Sequence, residues 1–145
     1  MLYPESRGTV RLASTDPFTA PLIDPNYLAD PQDSTTLLAG MKLVREAVGH
    51  TAVASELGRE LMPGTGPACA DLADFVRRNA SGVYHPVGTC RMGTDERAVV
   101  DPELRVHGIE GLRVADASIM PSIVGGNTNA AAMMIGERAA ELIAG

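Results

Sequence analysis

His85 stands in the run Tyr84-His85-Pro86-Val87-Gly88-Thr89. A histidine followed at once by Pro and soon by Gly is held on irregular backbone rather than in a ladder, a kind of position that often carries function. Imidazole ordinarily titrates at about 6.5, the right range to take a proton at neutral pH. A lone histidine is still more often structural or surface-exposed, so the residue type alone leaves both readings open. The second constellation is Val124-Gly125-Gly126-Asn127-Thr128-Asn129, followed by the apolar run Ala130-Ala131-Ala132-Met133-Met134-Ile135. Its glycines allow tight turning or close backbone approach to a ligand, and its Asn residues can cap a helix. A helix that starts apolar on every side is expected to bury that end, and a buried N-terminus with free amides attracts negative charge. On these features alone a well-capped structural helix is the simpler reading. A phosphate loop is excluded, since the Lys-Ser/Thr ending is missing.

Other candidates fail on spacing or context. His50 follows Gly49 at a helix end and is placed to cap carbonyls, and His107 lies before Gly108 between two short strands. Cys69, His85, Cys90 and His107 lack the C-x₂-C and H-x₃₋₅-H spacings of a zinc site, so no metal is expected. A Cys69–Cys90 disulfide has nothing to mark it, and two partly buried thiols are the plainer reading. Without a Gly-x-Ser-x-Gly elbow, serine hydrolysis has no nucleophile. The carboxylates are scattered, with no evident acid/base pair.

The elements that must position His85 and Asn129 follow from local patterning. Arg7-Gly8-Thr9-Val10-Arg11-Leu12 alternates polar and apolar, which reads as a strand with one buried face. Between Asp16 and Asp33, repeated Asp-Pro pairs predict a long irregular connection, with Leu22-Ile23 anchored inward. Ser34 or Thr35 is expected to cap a helix to about Val48, with Leu37, Met41, Val44 and Val48 on one stripe. A shorter helix is expected over about Val53 to Leu61, and a third from Cys69 or Ala70 with Leu72, Phe75 and Val76 inward. Leu104-Arg105-Val106 and Leu112-Arg113-Val114-Ala115 read as short strands, and a terminal helix spans about Asn129 to Ala144.

The 145 residues amount to one domain, acidic at −6, with 45% hydrophobic and only 3% aromatic content. Aromatics carry much of the burial in small cores, so an Ala-rich core of this kind suits a domain that packs against something larger. An acidic chain without a Lys/Arg cluster is a poor partner for nucleic acid or anionic membrane, and no run is long enough to span a bilayer. With no leader pattern at its N-terminus, the chain is expected to be cytoplasmic.

Taken in order, five segments resemble the C-terminal domain of glucose-methanol-choline (GMC) oxidoreductases. They are Ser6-Arg7-Gly8-Thr9-Val10-Arg11-Leu12, Pro21-Leu22-Ile23-Asp24-Pro25-Asn26-Tyr27-Leu28, and His85-Pro86-Val87-Gly88-Thr89-Cys90-Arg91-Met92-Gly93. The last two are Leu112-Arg113-Val114-Ala115-Asp116-Ala117-Ser118-Ile119-Met120-Pro121 and Gly125-Gly126-Asn127-Thr128-Asn129 with its helix. Together they cover nearly the whole chain, residues 1–145.

The resemblance implies an α+β fold: the family's antiparallel substrate-domain sheet with flanking helices, plus a terminal strand and helix that pack on the FAD domain. It implies FAD as cofactor and oxidation of an alcohol to a carbonyl compound by hydride transfer to the flavin. His85 would accept the substrate hydroxyl proton or stabilise the developing alkoxide. Asn129 falls where the family has His or Asn, and Asn hydrogen-bonds the substrate oxygen without titrating; this resembles the choline dehydrogenase and alcohol dehydrogenase branch. Asp116 and Ala117 would touch the ribityl-diphosphate portion, and Asn127 and Thr128 would bring backbone to the flavin ring. There the helix N-terminus would stabilise anionic reduced flavin by about 0.5–2 kcal/mol. The Gly-x-Gly-x-x-Gly turn that cradles the FAD diphosphate has no counterpart here. The implied partners are therefore a small alcohol and an N-terminal FAD-binding part, in the same chain or in trans, and the 145 residues alone are expected to be inactive. A non-catalytic binding domain on the same fold is the alternative.

Overall fold

The computed structural model describes residues 1–50, 52, 54–64 and 71–145. They form two compact units, Tyr3–Ser81 with Met1 and Gly82–Gly145 with Leu2.

In the first unit, β1 (Thr9–Arg11) pairs antiparallel with β2 (Leu22–Asp24), in the register Thr9 to Asp24, Val10 to Ile23 and Arg11 to Leu22. Gly8 has to be glycine: a Cβ there would lie 2.3 Å from the Asp24 carbonyl oxygen and 2.8 Å from that of Pro25. Leu22 and Ile23, expected inward, are exposed, because no described residue of this unit covers either face of the two-stranded ribbon. Helix α1 (Pro31–Gly49) starts earlier than expected. Asp30, not Ser34 or Thr35, is its cap: the carboxylate accepts from the Gln32 N–H at 2.8 Å, and Pro31 supplies the preset φ of a first helical residue. His50 ends the helix as its C-cap through its own N–H, as its position after Gly49 suggested.

Asp33, buried at 2% exposure, ties the start of the chain to α1. It accepts from the Glu5 N–H at 2.8 Å, the Ser6 N–H at 3.0 Å and the Ser6 hydroxyl at 2.5 Å. The same hydroxyl accepts from the Asp30 N–H at 3.0 Å. Burial pushes the Asp33 carboxyl up, but the Ser6 hydroxyl, the two backbone N–H groups and nearby Arg7 outweigh it and hold the group below its ordinary value of 3.8. The expected helix over Val53 to Leu61 is only a 3₁₀ turn at Ala54–Glu56, followed by irregular chain to Pro63; Thr51 and Val53 lie outside the described residues. Helix α2 (Leu72–Asn79) is capped by Asp71, packs on α1 and buries Val76. Cys69 and Ala70, the expected start of that helix, lie outside the described residues, and so does the Cys69 side of any thiol pairing.

The second unit holds the apolar core: Val100, Leu104, Ile119, Met120, Ile135 and Ala139. The two short strands expected around Val106 and Val114 pair only through single bridges, Val100 with Val106 and Arg105 with Arg113. Turn chemistry interrupts the ladder: Leu104, Gly108 and Gly111 all adopt positive φ. Helix α3 (Asn129–Ala144) has the bounds its apolar pattern implies and sends Ile135 and Ala139 into the core. Its opening turns are not buried on every side, since Met133 and Met134 are 63% and 57% exposed.

Candidate functional site

Two segments of the second unit meet at His85. The first is pinned on both sides of the ring. Tyr84 takes φ 63°, Val87 packs against the core, and Gly88 at φ 89° turns the chain where a Cβ would meet the Met120 carbonyl oxygen at 3.3 Å. Beyond the turn, the Cys90 N–H donates to the Ser118 carbonyl at 3.0 Å and the Met92 N–H to that of Ile119 at 2.7 Å. The Pro-Val-Gly sequence thus presents a half-buried histidine from a loop whose base is tied to the core. The second segment runs from Val124, packed on the core, to Ala131 and Ile135 on α3. Core contacts before and after it leave Gly125–Asn129 bridging a short span at the head of the helix.

Across this junction His85 Nε2 lies 3.2 Å from Asn127 Oδ1, and Thr128 Oγ1 lies 2.9 Å from His85 Nδ1. A carboxamide oxygen only accepts, so this contact is made by the tautomer with the proton on Nε2, which donates to Asn127. In the neutral ring Nδ1 is then the acceptor, and the Thr128 hydroxyl donates to it. The Thr128 bond is partly buried and the Asn127 bond is exposed. Thr128 is also the N-cap of α3, yet its side chain makes no cap hydrogen bond. Its hydroxyl is committed to His85, and the opening N–H groups of α3 keep their positive end without a side-chain acceptor.

Of the residues singled out from the sequence, the structure joins His85 to Asn127 and Thr128. Asn129, the first residue of α3, is exposed. Asp116 and Ala117 belong to a separate turn, a 3₁₀ element at Ala117–Ile119 that Asp116 caps by accepting from the Ser118 N–H at 2.7 Å. Hydrogen bonding from the Ser118 side chain and then its N–H holds the Asp116 carboxyl below its ordinary range, against a smaller push from burial. That 3₁₀ turn is also where the loop bearing His85 is anchored, through Ser118 and Ile119. Side-chain contact between Thr128 and His85 has no local sequence signal, because the residues are far apart along the chain.

Other polar groups are committed elsewhere. His107, exposed, directs Nε2 at the Gly93 carbonyl oxygen, 3.1 Å away. Arg91 and Asp95 form a two-point ion pair at 2.9 and 2.5 Å. An open depression of about 460 Å³ between Asp101 and Arg113 contains none of the residues around His85. Among the described residues no helix is long and apolar enough to cross a membrane.

A family model described as GMC oxidoreductase matches residues 4–136. The chain is 51% identical over 144 residues to an alcohol dehydrogenase [acceptor] of Pseudomonas putida, covering 98% of this chain and 26% of that protein. It is 49% identical over 146 residues to a choline oxidase of Arthrobacter globiformis, covering 97% and 27%. Among solved structures, pyridoxine 4-oxidase from Mesorbium loti superposes with a TM-score of 0.86 at 38% identity, over 97% of this chain and 28% of that one. A formate oxidase variant of Aspergillus oryzae, studied for modification of its FAD, superposes with a TM-score of 0.87 at 32% identity, over 97% and 25%. The chain therefore spans about a quarter of the length of the relatives it matches.

Proposed function

The chain belongs to the GMC oxidoreductase family and has part of that fold, and from that premise we propose that it is the C-terminal, substrate-side part of an FAD-dependent enzyme oxidising an alcohol to a carbonyl compound. The observation that carries this reading is the cluster at the head of α3. There a half-buried histidine is bonded through both ring nitrogens beside a helix N-terminus that lacks a side-chain cap.

The residues present fit one edge of a flavin. The uncapped N–H groups of α3 suit an electron-rich, hydrogen-bond-accepting group, and a Cβ built on Gly126 has nothing within 4 Å, leaving room for close approach. Asn127 and Thr128 would hold the ring edge through their backbone, and Asp116 with Ala117 the ribityl-diphosphate portion. When bound, FAD supplies the hydride acceptor. The remaining work belongs to side chains of this chain. His85 acts at Nε2, the nitrogen on the exposed side, where a substrate hydroxyl takes the place of the Asn127 oxygen. There its N–H donates to the substrate oxygen and stabilises the alkoxide as charge develops, and in the tautomer with the proton on Nδ1 the bare Nε2 accepts the hydroxyl proton. Asn129 steadies the same oxygen by hydrogen bonding and adds no titrating group. The rest of the cofactor site comes from residues outside these 145, in the same chain or in trans, and the 145 residues alone do not turn over alcohol. The exposed apolar side chains on α3, Met133, Met134 and Ile143, suit a helix that packs on that additional part.

The test is a flavin absorbance spectrum of the chain alone and after co-expression with the preceding part of a related enzyme. Stoichiometric flavin is expected only on co-expression, with alcohol-dependent bleaching. His85→Ala should keep the flavin and lower turnover about 10²–10⁴-fold, with a smaller fall for Asn129→Ala. No flavin under any condition, in a folded protein, would leave a non-catalytic binding domain as the better reading.

A further inference from the structure

We propose that Thr128 is the positioning residue for His85: its hydroxyl holds Nδ1 and so leaves Nε2 as the nitrogen that meets substrate. This deepens the oxidoreductase reading and rests on it for the identity of the substrate, but not for the contact itself. The two bonds to the ring differ in kind. The bond to Asn127 is exposed and 3.2 Å long, so an incoming hydroxyl can displace it. The bond to Thr128 is shorter, at 2.9 Å, and partly buried. Thr128 also sits on rigid ground, as the N-cap of a helix whose Ala131 and Ile135 pack on the core.

A hydroxyl suits the task better than a carbonyl or an ammonium group, because it both donates and accepts. With the proton on Nε2, the Thr128 O–H donates to Nδ1. When Nε2 is bare or the ring is doubly protonated, the same oxygen accepts from Nδ1–H after a rotation about its own C–O bond. The ring is therefore tethered in every protonation state it passes through. The cost of this use is visible in α3, which forgoes the side-chain cap that Thr128 would otherwise give it.

The experiment is ¹⁵N NMR of the imidazole nitrogens in the 145-residue chain, whose histidines are only His50, His85 and His107. In the wild type, His85 is expected to carry its proton on Nε2, with Nδ1 shifted as a hydrogen-bond acceptor. Thr128→Val should return Nδ1 to the position of an unbonded nitrogen, and Thr128→Ser should restore the wild-type shift. Asn127→Ala should leave Nδ1 in place. His107, bonded to the Gly93 carbonyl oxygen, reports folding in the same spectra. If Thr128→Val loses that signal, the wild-type, Thr128→Ser and Asn127→Ala spectra still decide. A wild-type Nδ1 without a hydrogen bond, either as donor or as acceptor, overturns the proposal. So does a Thr128→Val spectrum identical to wild type, or an Nδ1 that moves in Asn127→Ala. In the co-expressed enzyme Thr128→Val should lower kcat about tenfold to a hundredfold with KM little changed. Ring nitrogens that respond as stated, in an assembly without alcohol-dependent flavin reduction, would leave Thr128 in its place and sink the oxidoreductase reading instead.

Discussion

Within Tyr3–Ser81, only Pro63 and Val76 bury apolar side chains among the described residues, whereas Gly82–Gly145 buries Val100, Leu104, Ile119, Met120, Ile135 and Ala139 around a common centre. The first unit is organised by polar closure. Asp33 gathers Glu5 and Ser6, Asp30 and Asp71 cap its helices, and Arg45 reaches Glu60 at 2.9 Å. Meanwhile Leu12, Leu22 and Ile23 face solvent at 86%, 61% and 67% exposure. The second unit is organised by apolar burial, and the segments that bear its site are tied to that core through Val87, Val124 and Ile135. The difference teaches where chemistry can be mounted. A histidine on a loop needs a rigid base, and only the unit with a contiguous core provides one.

That comparison can be broken from either side. The largest effect is expected from Ile119→Ala, which empties the centre of the second unit. About 2–5 kcal/mol of stability should be lost, read as faster amide exchange across α3 with little change in α1. An equal rise in both units would mean that the core is shared and the contrast false. Asp33→Ala should act on the first unit, stripping the acceptor from Glu5, Ser6 and the Ser6 hydroxyl at a cost of about 1–3 kcal/mol, with α1 amides exchanging faster and α3 unchanged.

Acid provides the same test without a mutation. The folded pKa of Asp33 lies below its ordinary value of 3.8. Its contribution is therefore fully present above that value and lost as pH falls through the lower folded one. The first unit should loosen at more acid pH than an unperturbed carboxylate would dictate, and Asp33→Asn should flatten that dependence. A smaller effect sharpens the comparison at its surface. Met133→Gln with Met134→Gln should shift the stability of the 145 residues by less than about 0.5 kcal/mol, since both side chains are exposed. The same pair should weaken flavin retention on co-expression if this face of α3 packs on the additional part of the enzyme.

Much of this architecture is legible in residue order because it arises locally. The apolar run after Asn129 and the glycines before it set α3 to the residue, and alternation from Arg7 to Leu12 placed β1, although β1 is exposed throughout and lacks the buried face that alternation implied. The family was identified separately, by the resemblance of five ordered segments, among them those around His85 and Asn127. Helix caps were less legible. Ser34 and Thr35 are good capping types, but Asp30-Pro31 upstream supplied both a side-chain acceptor and a preset φ, and the helix took the earlier start. Leu22-Ile23 reads as an inward pair by composition, yet burial depends on what covers a ribbon and not on the ribbon itself.

What tertiary structure alone decided are contacts between residues distant along the chain. Asp33 became the latch of the first unit because folding brought Glu5 and Ser6 to it. Thr128 gave up its cap because folding brought His85 within reach of its hydroxyl. A short polar side chain has several partners of nearly equal value, and the sequence names the residue types but not the choice among them. Geometry makes that choice, since a hydrogen bond is worth forming only where donor and acceptor are already held at about 3 Å.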